Sequence, residues 1–241
     1  MKTNQFRSIF ISDVHLGLRK SKKKELLDFL EKTEADNYFF LGDIIDLWHL
    51  RRSFTWSKDD NVVIRKILKI AKHKNVVFIP GNHDELFRDY VVHEFLGIKI
   101  ESEYVHITKN GVSVLLIHGD IFDKIILHHR WLAVFGSIMY DVLLELNEVN
   151  NWIRRKLNRT PWSLSMYLKH KAKEATNLME NFKTTSIQYA EKKSCDFIIT
   201  GHIHKPELGL LYANCGDWVE NCSAIVENLD GTLGLVFWHD K

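Results

Sequence analysis

Cysteine, proline, net charge and long apolar stretches are all scarce in these 241 residues. The three cysteines, Cys195, Cys215 and Cys222, are too few and odd in number for a disulfide scaffold, and they suit a reducing compartment. Three prolines (Pro80, Pro161, Pro206) and no Pro-, Gly- or Ser-rich tract leave no linker, so a single domain over 1–241 is expected. No apolar run reaches the ~18–20 residues of a membrane span. The first residues pass straight into an apolar strand pattern, without a signal-peptide layout. Lys and Arg (33) nearly cancel Asp and Glu (31), so net charge selects no partner and nucleic acid is not expected. A cytoplasmic soluble protein is the reading, with a peripheral membrane contact left open.

Histidine, in contrast, is abundant. There are 13, and imidazole is the commonest nitrogen ligand of transition metals. Hydrophobic residues at 45% and charged residues at 27% suit a globular domain. Short apolar runs at 7–12, 37–41, 76–80, 112–117 and 196–200 each close on a polar or glycine turn and read as buried strands. Two helical patterns separate the early runs. Leu26, Leu27, Phe29 and Leu30 form the first; Val62, Val63, Ile67, Leu68 and Ile70 form the second. Asn110-Gly111 and Asp230-Gly231 predict hairpins. Alternating strands and helices followed by hairpins predict an α/β fold with a mixed sheet.

The segment from about 124 to 193 breaks this rhythm with a helical pattern longer than a crossover needs. Trp131, Val134, Phe135, Ile138, Val142, Leu146, Val149 and Ile153 follow three-and-four spacing, and eight Lys and Arg face four acids between His128 and Thr176. An insertion packed on the body by its apolar stripe is one reading. The other is a lid whose surplus apolar surface takes an acyl chain and whose cations meet phosphate or anionic lipid. Trp131, Arg154, Arg155, Lys169 and Lys171 are then the candidate substrate contacts.

Chemistry collects where the apolar runs end. Asp13-Val14-His15 closes the first, Gly42-Asp43 the second and Gly81-Asn82-His83-Asp84 the third; His118-Gly119-Asp120 and Gly201-His202-Ile203-His204 close the last two. Ligands of open α/β sheets bind outside the carboxyl ends of strands. Each motif alone has an ordinary turn or capping explanation, but five in order at strand ends point to a metal site. Carboxylate and amide oxygens mixed with imidazoles suit Mn²⁺, Fe or Zn²⁺ rather than Ca²⁺. On an extended strand end, Asp13 and His15 project to one side, and so do His202 and His204. Asp13, His15, Asp43, Asn82, His118, His202 and His204 are too many for one tetrahedral ion and suit two ions sharing a carboxylate.

In this order the motifs resemble the calcineurin-like metallophosphoesterase superfamily. The resemblance implies an αββα sandwich with a dinuclear centre and a helical insertion. One metal would sit on Asp13, His15, Asp43 and His204, the other on Asp43, Asn82, His118 and His202, with Asp43 bridging. It also implies that His83 reaches the leaving-group side, oriented by Asp84; these two are the catalytic candidates. The basic, aromatic insertion, the stretch Tyr167-Leu168-Lys169-His170-Lys171 and the run from Asn214 to Glu220 resemble the UDP-2,3-diacylglucosamine diphosphatases of lipid A synthesis more closely. That family's best-known branch carries Arg where this chain has His83. The resemblance implies hydrolysis of a lipid-linked nucleotide sugar to UMP and a diacylated sugar 1-phosphate, with two divalent metal ions as cofactors, Mn²⁺ ahead of Fe or Zn²⁺. A phosphodiesterase or nuclease acting on a soluble substrate is the alternative.

Overall fold

The structure, a computed structural model, describes residues 4–123 and 179–238. The candidate contacts Trp131, Arg154, Arg155, Lys169 and Lys171, and most of the expected insertion, lie outside the described residues. The strands are β1 (Asn4–Gln5), β2 (Ser8–Ile11), β3 (Thr33–Glu34), β4 (Asn37–Leu41), β5 (Asn75–Ile79), β6 (Glu94–Phe95), β7 (Ile98–Ile100), β8 (Tyr104–Ile107) and β9 (Ser113–Leu116). They continue with β10 (Phe197–Thr200), β11 (Glu207–Leu208), β12 (Tyr212–Asn214), β13 (Ser223–Glu227) and β14 (Leu233–Phe237). The helices are α1 (Lys23–Lys32), α2 (Leu47–Arg52) and α3 (Lys58–Ala71).

The chain divides into two compact units, 1–120 with 186–241, and 121–185. The first holds both large sheets. One runs β14-β13-β2-β4-β5-β7-β6 and the other β11-β12-β10-β9-β8. Both are mixed: β2, β4, β5 and β7 are parallel in the first, β9, β10 and β12 in the second, with antiparallel strands at the edges. In the second unit, Phe122 is buried and meets Phe182 edge-on at 5.7 Å between ring centroids.

Strand alternation explains the layers. Phe10, Phe39, Leu41, Val77 and Ile79 face Val114, Leu116 and Ile199 across the gap between the sheets. Their neighbours Ile9, Ile11, Tyr38, Phe40 and Val76 turn the other way, onto Leu26, Phe29 and Leu30 of α1 and Val63 and Ile67 of α3. Burial on both faces is why these strands read as unbroken apolar runs. α3 starts in a capping box: the Ser57 side chain accepts from Asp60 N–H, and the Asp60 carboxylate accepts from Ser57 N–H. The same carboxylate takes Gly17 N–H at 2.9 Å and pairs with Lys23 Nζ at 2.9 Å, so it ties α3 to the loop behind β2 and to α1.

At the opposite strand ends, Glu227 is fully buried and accepts from Arg7 (2.7 Å), Ser8 Oγ (2.7 Å) and Lys109 N–H (2.9 Å), with His106 Nε2 at 2.8 Å. Burial pushes its carboxyl up, but the His106 and Ser8 bonds and those from Lys109 and Arg7 win and hold it below the usual range. A depressed folded-state pKa stabilises the fold above the ordinary glutamate pKa, and that gain is lost as pH falls through the folded value. Glu227→Gln is therefore expected to cost about 1–3 kcal/mol at neutral pH. Urea denaturation across pH 3–7 should show the gap between variant and wild type closing at the acid end; a gap independent of pH would refute the network's role.

Candidate metal centre

The two loops behind β2 and β4 continue their parallel pairing beyond the strands. Asp13 N–H donates to Gly42 O, His15 N–H to Asp43 O, Leu16 N–H to Ile44 O and Asp46 N–H to Leu16 O. This zipper sets Asp13 and His15 beside Asp43. The third loop joins through His83 N–H to Asp43 Oδ1 at 2.8 Å, and the last through His202 N–H to Asp13 Oδ2 at 2.9 Å. Asp13, His15, Asp43, His202 and His204 all hold left-handed backbone, with φ from 52° to 70°. Non-glycine residues adopt that region at a cost of about 1–3 kcal/mol, and such strain collects at functional sites.

Among the described residues three clusters of possible donor atoms result: Asp13, His15 and His204; His15, Asp43 and His83; and Asp43, His118 and His202. Two sequence expectations change here. Asp13 and His15 do converge, but through two left-handed residues in a loop rather than by strand alternation. His202 and His204, which strand alternation puts on one side, lie in different clusters, as the two-metal assignment implied by the resemblance has them.

His83 brings a further correction. Its Nδ1 lies 2.9 Å from Asp46 Oδ1, so Asp46, not Asp84, orients the ring. Asp84 is fully buried, and its carboxylate accepts from the N–H groups of Asp43, Ile44, Ile45 and Gly81. It shapes the loops and has no side-chain bond to His83. Burial and the Asp43 charge push its carboxyl up to about 6, opposed by His118 and by these N–H donors. Sequence reading missed Asp46, which also meets His15 Nδ1 at 3.2 Å and caps α2 through His49 N–H at 2.8 Å. Its only sequence signal is its place three residues after Asp43 and next to the first turn of α2. Trp48, on α2, lays its ring 4.4 Å from that of His83.

A family model described as calcineurin-like phosphoesterase matches residues 6–206 of the chain. The chain belongs to that family. It is a metal-dependent phosphoesterase. Among curated proteins it is similar to the UDP-2,3-diacylglucosamine hydrolase of Shewanella sp. (strain MR-4), 26% identical with 93% of this chain and 95% of that protein covered. It is also similar to the protein of that name from Photorhabdus laumondii, 27% identical over 83% of this chain and 82% of the relative. Among solved structures it aligns with Yfce, a phosphoesterase from E. coli, at 14% identity and a TM-score of 0.45, covering 96% of this chain and 99% of the other.

The family implies divalent metal ions, and the donor atoms of this phosphoesterase fit them. Asp13 Oδ1, Asn82 Oδ1 and His118 Nε2 are three of the four buried side-chain polar atoms left without a hydrogen bond among the described residues. Such orphans need a partner. His118 Nδ1 lies 2.7 Å from Leu41 O, which makes Nδ1 the donor and frees the Nε2 lone pair. His15 and His204 turn their Nε2 atoms towards each other at 3.4 Å, an approach suited to a shared cation. Burial opposes the charge of Asp13 and Asp43, yet the surrounding imidazoles hold both carboxyls below the usual range. Burial likewise opposes a proton on His118, but the Asp43 charge favours positive charge at Nε2, a place that a metal ion would take instead of the proton. The carboxylates thus demand compensating positive charge.

Gly81 allows the close approach. A Cβ there would stand 2.3 Å from Asp43 Oδ1 and 2.7 Å from His118 Nε2. Gly81→Ala is expected to displace both side chains and to cut bound metal, measured by elemental analysis, together with activity. Full metal content and wild-type turnover would refute this packing argument.

Proposed function

We propose that this phosphoesterase hydrolyses the diphosphate of UDP-2,3-diacylglucosamine to UMP and the diacylated glucosamine 1-phosphate. The observation that carries the reading is the set of three overlapping donor clusters, two of which share Asp43, in a chain whose similar relatives carry that substrate in their names. One ion would be held by Asp13, His15, Asp43 and His204, the other by Asp43, Asn82, His118 and His202; Mn²⁺ matches their mixed oxygen and imidazole donors. Bound there, the ions supply positive charge against the phosphoryl oxygens and lower the pKa of water.

The chain's own residues do the rest. Asp46 holds His83 by Nδ1, so its Nε2 is the atom that can hand a proton to the leaving oxygen. Trp48 on the ring face limits the ring's other orientations. A diacylated substrate favours work at the cytoplasmic face of a membrane, in peripheral contact with anionic lipid. Among the described residues no helix is long and apolar enough to cross one.

The test is product analysis with UDP-2,3-diacylglucosamine and Mn²⁺. UMP with an equal amount of lipid phosphate is the expected result. Release of UDP, or turnover confined to soluble diesters, would overturn the reading in favour of a soluble-substrate phosphodiesterase.

A further inference from the structure

The run from Asn214 to Asn221 lies against the loop Gly201-His202-Ile203-His204, and the chemistry above uses none of it. β12 pairs with β10 in parallel, Thr200 opposite Asn214, and the pairing runs on as Cys215 N–H donates to Thr200 O at 2.9 Å. The loops behind these two strands are therefore neighbours. Asn214 is fully buried, and its Nδ2 donates to Gly201 O at 2.6 Å, which fixes the start of the donor loop. Asn221 fixes the far end, where its Nδ2 donates to His204 O at 2.9 Å. Trp218 N–H donates to Asp13 O at 3.0 Å, so the same run also touches the first donor motif.

Asp217 sets the direction of the Asn221 amide. It is fully buried; its Oδ1 accepts Val219 N–H at 2.7 Å and Glu220 N–H at 2.6 Å, and its Oδ2 accepts from Asn221 Nδ2. A side-chain amide has two N–H donors, and here both face acceptors, Asp217 and His204 O. A flip of the amide would set its oxygen against a carboxylate and a carbonyl.

His204 is the donor that needs this support. Asp13, His15, Asp43 and His118 are each no more than 5% exposed, so packing holds their side chains. His204 leaves 40% of its side chain exposed and stands on left-handed backbone, with φ 53°. Neither burial nor backbone preference keeps it in place. Holding its carbonyl resists relaxation towards ordinary dihedrals, which would swing the imidazole away from Asp13 Oδ1, 3.1 Å from His204 Nε2. We propose, on the two-ion assignment given above, that Asn221, oriented by Asp217, is a positioning residue for His204. It thereby sets the affinity of the ion at Asp13, His15, Asp43 and His204 and leaves the ion at Asp43, Asn82, His118 and His202 unaffected.

The test is titration of the full chain with Mn²⁺, the free ion being counted by electron paramagnetic resonance. Asn221 is half-buried and lies between β12 and β13, so Asn221→Ala should fold, which circular dichroism checks. In that variant one ion should bind ~10–100-fold more weakly, the usual cost of losing an outer partner of a metal ligand, and the other as in wild type. Turnover lost at limiting Mn²⁺ should return at saturating Mn²⁺. Asn221→Asp keeps the shape but cannot donate, and should weaken the same ion. A double-mutant cycle locates the effect. Asn221→Ala should cost no further affinity on top of His204→Ala, but its full amount on top of His202→Ala. Unchanged affinity for both ions in Asn221→Ala, equal weakening of both, or losses that add to those of His204→Ala would overturn the proposal. A wild-type chain that binds a single ion would sink the two-ion assignment; that ion weakened by Asn221→Ala, without adding to His204→Ala, would still keep Asn221 in its role.

Discussion

Asp43→Asn should leave a folded protein that binds at most one metal ion per chain and has lost nearly all activity. Asp43 Oδ1 accepts His83 N–H at 2.8 Å, and Oδ2 faces His118 Nε2 at 3.4 Å. Asparagine keeps the shape, tolerates the φ of 55° at this position, and can still accept from His83. What it loses is the charge. Two cations a few ångströms apart would repel strongly, and a carboxylate shared between them would screen that repulsion. Elemental analysis and turnover in Mn²⁺ check the result together. Two ions per chain with wild-type turnover would show that Asp43 is no bridge.

His83→Ala should keep both ions and lose ~10²–10⁴-fold in turnover, the usual scale of a general acid–base contribution. Burial pushes the His83 pKa down, but the bond to Asp46 and the charge of Asp43 raise it above the ordinary value. The acid form must be present for the ring to protonate a leaving oxygen, so activity that needs it is lost as pH rises through that raised pKa. The alkaline limb of the pH–rate profile should therefore flatten in His83→Ala. Loss of metal, with turnover per bound ion unchanged, would make His83 a ligand instead, a role its place in the His15–Asp43 cluster also allows. Asp46→Ala separates positioning from ligation further: it should lower turnover and shift the alkaline limb towards lower pH.

Much of the architecture was legible before any coordinates. The expected strand at 37–41 is β4 to the residue, and the apolar runs at 7–12, 76–80, 112–117 and 196–200 contain β2, most of β5, β9 and β10. Asn110-Gly111 and Asp230-Gly231 join β8 to β9 and β13 to β14 as antiparallel pairs. These features are local: period-two and period-3.6 patterns report which face of an element is buried, and a turn is set by its own φ requirements. The strand-end motifs were legible for the same reason, as each follows its own apolar run.

Tertiary structure alone decided how those motifs meet. The two-residue strands β6 and β11 exist through pairing with distant partners and carry no periodic signal. Left-handed backbone at Asp13, His15, Asp43, His202 and His204 sends neighbouring side chains along directions that strand alternation does not predict, which is how His202 and His204 reach the separate clusters that the resemblance implies. Asp46 reaches both His15 and His83 because parallel pairing of the loops continues past β2 and β4. Sequence periodicity encodes burial on one element at a time, whereas convergence of side chains from several elements depends on backbone dihedrals beyond the strand ends and on non-local pairing.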